Sequence, residues 1–327
     1  MGKNQLLFVM FINDLHTVIS PNTNVALYAD DTKIWRVIES ESDCCTLQND
    51  IDSMNNWARR NFMKFHPLKC KVLSVTHKIE DNILPFSRYS YRLGGTILDY
   101  VHEEKDLGII INHKLNWKSH HQLILSKATS MFNLLRRTCH FVKNPAKKRT
   151  LYLTLIRSLL QHGSVIWAST TQSSNISFEA LQKRCVKWIL NEQFTSYSQH
   201  EYIMKLKDLD LLPVDYKFAL TDLIVFHKIV HHAIPINIPE YLTEKRSTRS
   251  QPSHHLNFTV TDEISSLKCC FKSNFFVRNL SLWNSLPISL REGTNFAKFA
   301  SEAKTFIWDK IMSNYLASPH NFDFEPD

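Results

Sequence analysis

The stretch 25–37 reads Val-Ala-Leu-Tyr-Ala-Asp-Asp-Thr-Lys-Ile-Trp-Arg-Val and tells most about the fold of the first part of this chain. Two runs rich in β-branched and aromatic residues, 25–29 and 32–37, lie on either side of the acidic doublet. The doublet has the length of a two-residue hairpin loop. We therefore predict an antiparallel hairpin over 25–37 with Asp30 and Asp31 at or beside its turn.

The paired carboxylates of this turn point to metal chemistry. Two like charges about 4 Å apart repel by about 4 kcal/mol at an effective dielectric of roughly 20, and a bound divalent cation removes that cost. Carboxylate oxygens with open coordination positions suit Mg²⁺, and a pair of metal ions is a standard device for in-line phosphoryl transfer. An ordinary Asp-rich turn is the alternative, because turns favour Asp in any protein.

Three further segments lie before and after the hairpin in the sequence. Segment 6–15 precedes it, 61–73 follows with Asn-Phe-Met-Lys-Phe-His-Pro-Leu-Lys-Cys-Lys-Val-Leu, and 105–117 begins Lys-Asp-Leu-Gly. In this order the four segments resemble the palm of non-LTR (LINE, jockey-like) retrotransposon reverse transcriptases. The segments that resemble the thumb and C-terminal tail of the same family are 155–157, 163–167, 181–184 and 282–287.

The resemblance implies an α+β fold: a partial polymerase palm of antiparallel sheet and helices, followed by a mostly helical thumb and C-terminal region. We place the palm at 1–117, the thumb at 118–170 and the C-terminal region at 171–327. A surface linker rich in Ser, Thr and basic residues is expected near 240–260. The high Phe and low Gly content favours packed helices after residue 117.

The resemblance also implies an RNA-directed DNA polymerase that uses an RNA template, a DNA primer and Mg²⁺. Asp30 and Asp31 match the family's catalytic metal ligands. Lys69 matches the palm lysine that contacts the phosphates of the incoming nucleotide or protonates the leaving group. An exposed lysine beside a proline turn is the alternative for Lys69.

Three residues of the same motifs are expected close to nucleic acid. Tyr28 and Ala29 would lie near the primer terminus, and Gly108 would allow the Leu-Gly hairpin to approach the primer closely. The alternatives are a hairpin core position for Tyr28 and a tight strand bend for Gly108.

Family members carry fingers, a first palm strand with a further catalytic Asp and a Gly-rich template-contacting segment, and this sequence shows no match to them. Asp14 is the nearest acid to the doublet on its N-terminal side, but its helix gives no reason for it to reach the metal ions. We therefore expect the chain to be catalytically inactive alone. The alternative is a non-catalytic nucleic-acid-binding module derived from such an element.

Basic residues around the predicted thumb are candidates for contacts with the nucleic-acid backbone. They are Lys127, Arg136, Arg137, Lys147 and Lys148. We predict that they share one face with the hairpin tip, because a thumb must hold the duplex that the palm extends. A solvated helical surface is the alternative, since charge runs usually face water.

Composition fits these expectations. The net charge of +8 and the pI near 9.0 suit a partner with a phosphate backbone, although basic proteins without such a partner have a similar balance. Seven cysteines without a Cys-x-x-Cys pair indicate neither a disulfide framework nor a zinc ribbon. His227 and His231 share a helical face, but spacing supplies no third ligand type for zinc.

The sequence predicts neither secretion nor a membrane partner. The short apolar run 6–12 has no small-residue cleavage site after it, and no segment approaches the length of a membrane span. We expect an intracellular protein, cytoplasmic or nuclear. A last pattern, the helical set Phe296, Phe299, Ala303 and Phe306, is predicted to be core rather than a surface for stacking bases.

Overall fold

The computed structural model describes residues 3–76, 89–168, 172–192, 196–245, 256–261 and 273–317. The chain divides into two compact units, an N-terminal unit Met1–Asn116 and a C-terminal unit Trp117–Asp327. The first boundary lies one residue from the predicted end of the palm segment. The segments 118–170 and 171–327, which the sequence separates, form one unit because they share a core.

The N-terminal unit combines two helices with short strands. The helices are α1 (Lys3–Ile12) and α2 (Glu41–Arg60), and 3-10 turns occur at Leu15–Val18 and Pro67–Lys69. The strands are β1 (Asn24–Tyr28), β2 (Asp31–Trp35), β3 (Lys71–Leu73), β4 (Arg92–Leu93), β5 (Thr96–Ile97), β6 (Asp99–Val101), β7 (Glu103–Asp106) and β8 (Ile109–Asn112).

The strands pair two by two among the described residues. The pairs β1–β2, β4–β5 and β7–β8 are antiparallel hairpins, and Gly94 and Gly95, both at positive φ, form the turn of the second. The pair β3–β6 is parallel, which differs from the antiparallel palm sheet that we expected. A parallel pair needs a long crossover, and residues 74–98 lie between the two strands in the sequence; of these, 77–88 lie outside the described residues.

Helix α2 packs under the first hairpin, as its periodic apolar residues predict. Met54, Trp57 and Ala58 form a buried cluster, against which Leu27 and Ile34 of the hairpin pack. A capping box begins α2: the Ser40 hydroxyl accepts a hydrogen bond from the Asp43 N–H, and the Asp43 carboxylate accepts one from the Ser40 N–H. The Ser40 hydroxyl and Arg36 donate to the same carboxylate and lower the pKa of Asp43 to about 2.

The C-terminal unit is mainly helical, as expected after residue 117. Its helices are α3 (Lys118–Thr138), α4 (Pro145–Leu151), α5 (Ser158–Gln161), α6 (Ser164–Trp167), α7 (Gln172–Leu190), α8 (Gln199–Asp208), α9 (Val214–Val230), α10 (Phe275–Arg278), α11 (Leu280–Ser285), α12 (Ile288–Glu292) and α13 (Phe296–Ala317). A π-helical segment, Tyr152–Arg157, joins α4 to α5.

Part of the predicted linker near 240–260 is ordered strand. Leu242–Glu244 (β9) and Phe258–Val260 (β10) pair antiparallel, while 246–255 lie outside the described residues. The linker prediction was therefore wrong at both ends. The reason is apolar packing: Leu242 and Phe258 are buried, and the Phe258 ring lies 5.5 Å from that of Phe226.

Aromatic residues fill the C-terminal core. Trp283 is buried, and the stripe on α13 has Phe299 and Ala303 buried and Phe296 and Phe306 half-buried, so the core prediction is confirmed at two of its four positions. A nearly buried ion pair joins α9 to α10, with Arg278 Nε 2.7 Å from Asp222 Oδ2. His227 stacks on Phe299, with ring centroids 3.8 Å apart, and the described residues contain no group of three or more side chains suited to a metal ion.

Four helices end in the same hydrogen-bonded motif despite the low glycine content. At the end of α2, the Met63 N–H donates to the Ala58 carbonyl and the Phe62 N–H donates to the Arg59 carbonyl. This Schellman pattern places Phe62 at φ +56, in the left-handed region that glycine usually occupies. Asn191, Asp210 and His232 hold the equivalent positions after α7, α8 and α9.

Phe62→Gly should stabilise the N-terminal unit. The Phe62 side chain is fully exposed, so its loss removes no packing, and glycine relieves a left-handed conformation that costs about 1–2 kcal/mol. Phenylalanine has less conformational entropy than glycine in the unfolded chain, and this difference offsets part of the gain. The free energy of unfolding, measured by urea denaturation, should rise by roughly 0.5–1 kcal/mol. Lys64→Gly, at an exposed position without positive φ, should instead destabilise. Equal effects of the two substitutions would contradict the strain at Phe62.

The C-terminal unit should lose stability as the pH falls below the ordinary pKa of histidine. Burial, with a smaller effect of His231, lowers the pKa of His227 to about 4. The His227 imidazole therefore takes up a proton near pH 6.5 in the unfolded chain but only near pH 4 in the folded chain. The free energy of unfolding decreases between about pH 6.5 and 4. At about pH 5 the loss from this residue is about 2 kcal/mol relative to neutral pH.

His227→Leu tests this assignment by urea denaturation at about pH 7 and pH 5. The variant should show a smaller loss on acidification than the wild type, by about 2 kcal/mol. His232→Gln, at an exposed neighbouring position, should lose as much as the wild type. An unchanged pH dependence in His227→Leu would assign the effect to other groups, of which His120, with its pKa also lowered to about 4 by burial, is the first candidate.

Candidate functional site

The acidic doublet lies at the tip of an antiparallel hairpin, which confirms the predicted local structure. Tyr28 pairs with Asp31, and Ala29 and Asp30 form the two-residue turn. Ala29 has φ +53. A left-handed alanine costs about 1–2 kcal/mol, so the surrounding packing holds this turn in a strained conformation.

The two faces of the hairpin differ in environment. Val25, Leu27, Thr32 and Ile34 face inward and are half-buried. The outer face carries Asp31 and Lys33 together with Tyr28, which is 67% exposed, and Trp35. Tyr28 is therefore not the hairpin core residue of the alternative interpretation; its side chain is available at the surface beside the acids.

Both carboxylates are free to bind a ligand. Asp30 and Asp31 are exposed, and in the part of the chain that the structure describes neither side chain has a hydrogen bond or an ion pair. Exposure to water reduces the repulsion between two charges at 4 Å to about 1 kcal/mol, so the doublet needs no cation for stability. Their oxygens suit Mg²⁺.

The ligand set is incomplete among the described residues, where no third carboxylate, histidine or cysteine joins the doublet. Asp14 is engaged elsewhere, since its carboxylate accepts a hydrogen bond of 3.2 Å from the Trp57 indole. The doublet thus fits Mg²⁺ in chemistry and supplies two of the ligands that a catalytic site requires.

A second hairpin meets the outer face of the first. Strands β7 and β8 are joined by Leu107 and Gly108, both at positive φ, as a tight two-residue turn requires. The ammonium of Lys33 on β2 donates to the carboxylate of Asp106, the last residue of β7. This ion pair is partly exposed and contributes at most about 1 kcal/mol, so its effect is to position the Leu-Gly turn beside the hairpin.

Lys69 ends the 3-10 turn Pro67–Lys69 and is exposed. Within the described ranges it makes no hydrogen bond with Asp30 or Asp31. The structure thus places Lys69 in the same unit as the doublet without joining them, and its role stays a prediction.

The predicted basic set does not form one face. Lys127, Arg136, Arg137 and Lys147 are exposed, but Lys127 and Arg136 are nine residues apart on α3 and point to opposite sides of it. The shared face predicted for these residues was therefore wrong within the C-terminal unit. The hairpin tip belongs to the other unit, so its alignment with the basic residues stays a prediction.

Lys148 is a correction to the predicted nucleic-acid contacts. Its side chain is buried, and its ammonium donates to the Trp188 carbonyl at 2.8 Å and to Asn191 Oδ1 at 2.7 Å. Burial lowers the pKa of Lys148. The residue joins α4 to the end of α7 and presents no charge to a surface ligand.

Motif residues of the predicted thumb also have structural roles. Arg157 is buried and donates to the Tyr152 hydroxyl and to the side-chain carbonyl of Gln182. Gln182 in turn donates to Glu179, which accepts from the Tyr202 hydroxyl and, at 2.7 Å, from the Val214 N–H that begins α9. This buried network joins four helical segments, which explains why residues 118–170 and 171–327 fold as one unit.

Sequence analysis missed three residues beside the basic set. Arg184 and Lys187 follow one face of α7, and Phe141 is 71% exposed in the loop after α3. A signal for them exists in the sequence: residues 117–191 contain twelve Lys and Arg and a single acid, Glu179. The rest of the chain contains 27 basic and 30 acidic residues.

Comparison with known proteins adds no relative. No family model matches the chain, and neither the curated proteins nor the solved structures contain a match. Among the described residues, helices that combine the length and the apolar character needed to cross a membrane do not occur.

Lys148→Met should destabilise the C-terminal unit by about 1–3 kcal/mol, because it leaves the buried Trp188 carbonyl and the part-buried Asn191 side chain without their donor. Lys147→Met changes the same charge at the adjacent exposed position and should alter stability by no more than about 0.5 kcal/mol. Urea denaturation of both variants decides the matter. Equal stability of the two variants would contradict the hydrogen bonds described for the Lys148 ammonium.

Proposed function

We propose that this chain is part of the RNA-directed DNA polymerase of a non-LTR retrotransposon and supplies the acidic hairpin of the palm. One observation carries the proposal: among the described residues, two exposed carboxylates without a hydrogen-bond or ion-pair partner lie at the tip of a two-residue hairpin, and an ion pair between Lys33 and Asp106 joins that hairpin to the strand before the Leu-Gly turn. The resemblance of the ordered motifs supports it.

In this proposal, residues of the N-terminal unit would have separate roles. Asp30 and Asp31 would hold Mg²⁺, which when bound supplies Lewis-acid chemistry for phosphoryl transfer. Tyr28, on the outer face one position before the turn, would contact the primer terminus. The Leu107–Gly108 turn would support the primer strand, and Lys69 would stabilise charge on the phosphates of the incoming nucleotide.

Two carboxylates are too few for efficient catalysis. Phosphoryl transfer depends almost wholly on metal ions and positioning, so a missing bridging ligand costs several kcal/mol, on the order of 10³-fold or more in rate. We therefore expect the described residues to bind a divalent cation weakly and not to extend a primer alone.

Metal binding and primer extension test the proposal separately. In an electron paramagnetic resonance titration with Mn²⁺ in place of Mg²⁺, Asp30→Asn/Asp31→Asn should remove one weak site. Glu103→Gln/Glu104→Gln alters another adjacent exposed acidic pair, on β7, and should leave that site intact. Equal binding by the wild type and the Asp30/Asp31 variant would contradict the metal role of the doublet.

Primer extension with Mg²⁺ should show no activity in the wild-type chain. Extension that Asp30→Ala abolishes would support the polymerase assignment and refute the expected inactivity. Extension unaffected by Asp30→Ala would mean that the hairpin is not the catalytic element.

A second candidate function, a nucleic-acid-binding module without catalysis, is favoured by a different observation. The basic excess of residues 117–191 exceeds the net charge of the whole chain, because the rest of the chain is slightly acidic. Charge concentrated in one region is the electrostatic pattern of a protein that binds phosphate backbones.

A further inference from the structure

The charge of residues 117–191 is only partly available at the surface. Lys148 and Arg157 are buried, and Arg149 pairs with Asp210. Glu179, the one acid of this region, is buried within the network described above. The surface charge of the region is therefore positive, without a local acid to neutralise it.

Two exposed arginines from different helices meet over one aromatic ring. Phe132 on α3 is buried, and the guanidinium carbons of Arg136 and Arg184 lie 5.7 and 5.2 Å from its ring centroid. In the described part of the chain neither arginine has an acidic partner. Cation–π contacts of this kind place both cations at the junction of α3 and α7.

The loop between α3 and α4 is held against the same end of α7. The side-chain amide of Asn191, just after α7, donates to the Lys143 carbonyl at 3.0 Å, and Lys148 donates to Asn191. Lys187 lies one helical turn before Asn191. These bonds hold the backbone of Lys143 against the C-terminal end of α7. The Lys187 ammonium itself lies 5.3 Å from the Tyr197 ring centroid. Lys147 is exposed in the first turn of α4, which Asn144 caps.

An exposed aromatic ring lies in the same loop. Phe141 is 71% exposed and lies two residues before Lys143 in the anchored loop. Its only aromatic neighbour in the described ranges is the exposed His140, with ring centroids 5.8 Å apart. The other nearby acid, Glu192, forms an ion pair of 2.8 Å with Lys205 and leaves the cations unopposed.

We propose that Phe141 and the cations Arg136, Lys143, Lys147, Arg184 and Lys187 bind single-stranded nucleic acid, with a base stacked on the Phe141 ring. The proposal rests on the second candidate function and names its surface and its type of strand. A duplex keeps its bases stacked on one another and offers Phe141 nothing but backbone, whereas a single strand offers both phosphates and an unpaired base.

Fluorescence anisotropy with end-labelled oligonucleotides of about 20 nucleotides tests the proposal on the full chain. The wild type should bind single strands more tightly than a blunt duplex of the same length. Between about 50 and 200 mM salt the logarithm of the binding constant should fall against the logarithm of salt with a slope of about −3.5, since each of the five cations contributes about 0.7.

Phe141→Ala should weaken single-strand binding roughly 5- to 100-fold and leave duplex and heparin binding unchanged, because heparin carries charge without bases. Arg184→Gln should weaken binding to all three polyanions and reduce the magnitude of the single-strand slope by about 0.7. Lys127→Gln, the matched loss of one exposed charge on the opposite side of α3 from Arg136, should change none of them.

The outcomes separate this proposal from the functions above. Unchanged single-strand binding in Phe141→Ala, or an equal loss in Lys127→Gln and Arg184→Gln, overturns the proposed surface while general nucleic-acid binding stands. Absence of binding to any oligonucleotide overturns both. Asp30→Asn/Asp31→Asn, which alters the other unit, should leave single-strand binding intact, and this result would support the surface whether or not the polymerase assignment holds.

Discussion

The hairpin that carries Asp30 and Asp31 depends on α2, which lies under it. An isolated two-stranded hairpin is marginally stable at best in water, and its inner face must therefore be covered. Leu27 and Ile34 pack on Met54 and Trp57 of α2. Because side chains alternate along a strand, a slip of one residue would turn Leu27 outward and carry Asp31 into the apolar cluster. Burial of these few side chains thus fixes the acids at the surface.

The position of α2 is in turn fixed by polar contacts at its N-terminus and in its middle. Asp43 caps the first turn and binds Arg36, the residue that follows β2. Further along α2, the Asp50 carboxylate is buried and accepts hydrogen bonds from the backbone and hydroxyl of Ser20, before β1. Both strands of the hairpin are therefore tied to the helix below them, and the strained Ala29 turn is held by contacts that do not involve it.

Local patterns predicted the elements that local forces form. β-branched and aromatic content with turn length predicted the hairpin at 25–37, and the high Phe and low Gly content predicted the helices after residue 117. The parallel pairing of β3 with β6 was not predictable in this way. It joins residues 28 positions apart, and neither strand carries a signal for its partner.

The sequence also did not predict which individual basic residues are buried and which are exposed, for a related reason. Lys147 and Lys148 are adjacent and chemically identical, yet one is exposed and the other buried. What separates them is the Trp188 carbonyl, 40 residues away, which only the folded unit brings to Lys148. The opposite orientation of Lys127 and Arg136, by contrast, follows from helical periodicity and was readable in the sequence.

The two candidate chemistries have opposite charge and lie in separate units. The free carboxylates of the N-terminal unit repel phosphate until a divalent cation reverses the local sign, since a bound metal ion is the largest charge in such a site. The cations of the C-terminal unit attract phosphate without any metal. In the proposed functions, nucleic acid would therefore bind the C-terminal unit first and independently of the metal, and only the approach of a phosphate to Asp30 and Asp31 would require the ion.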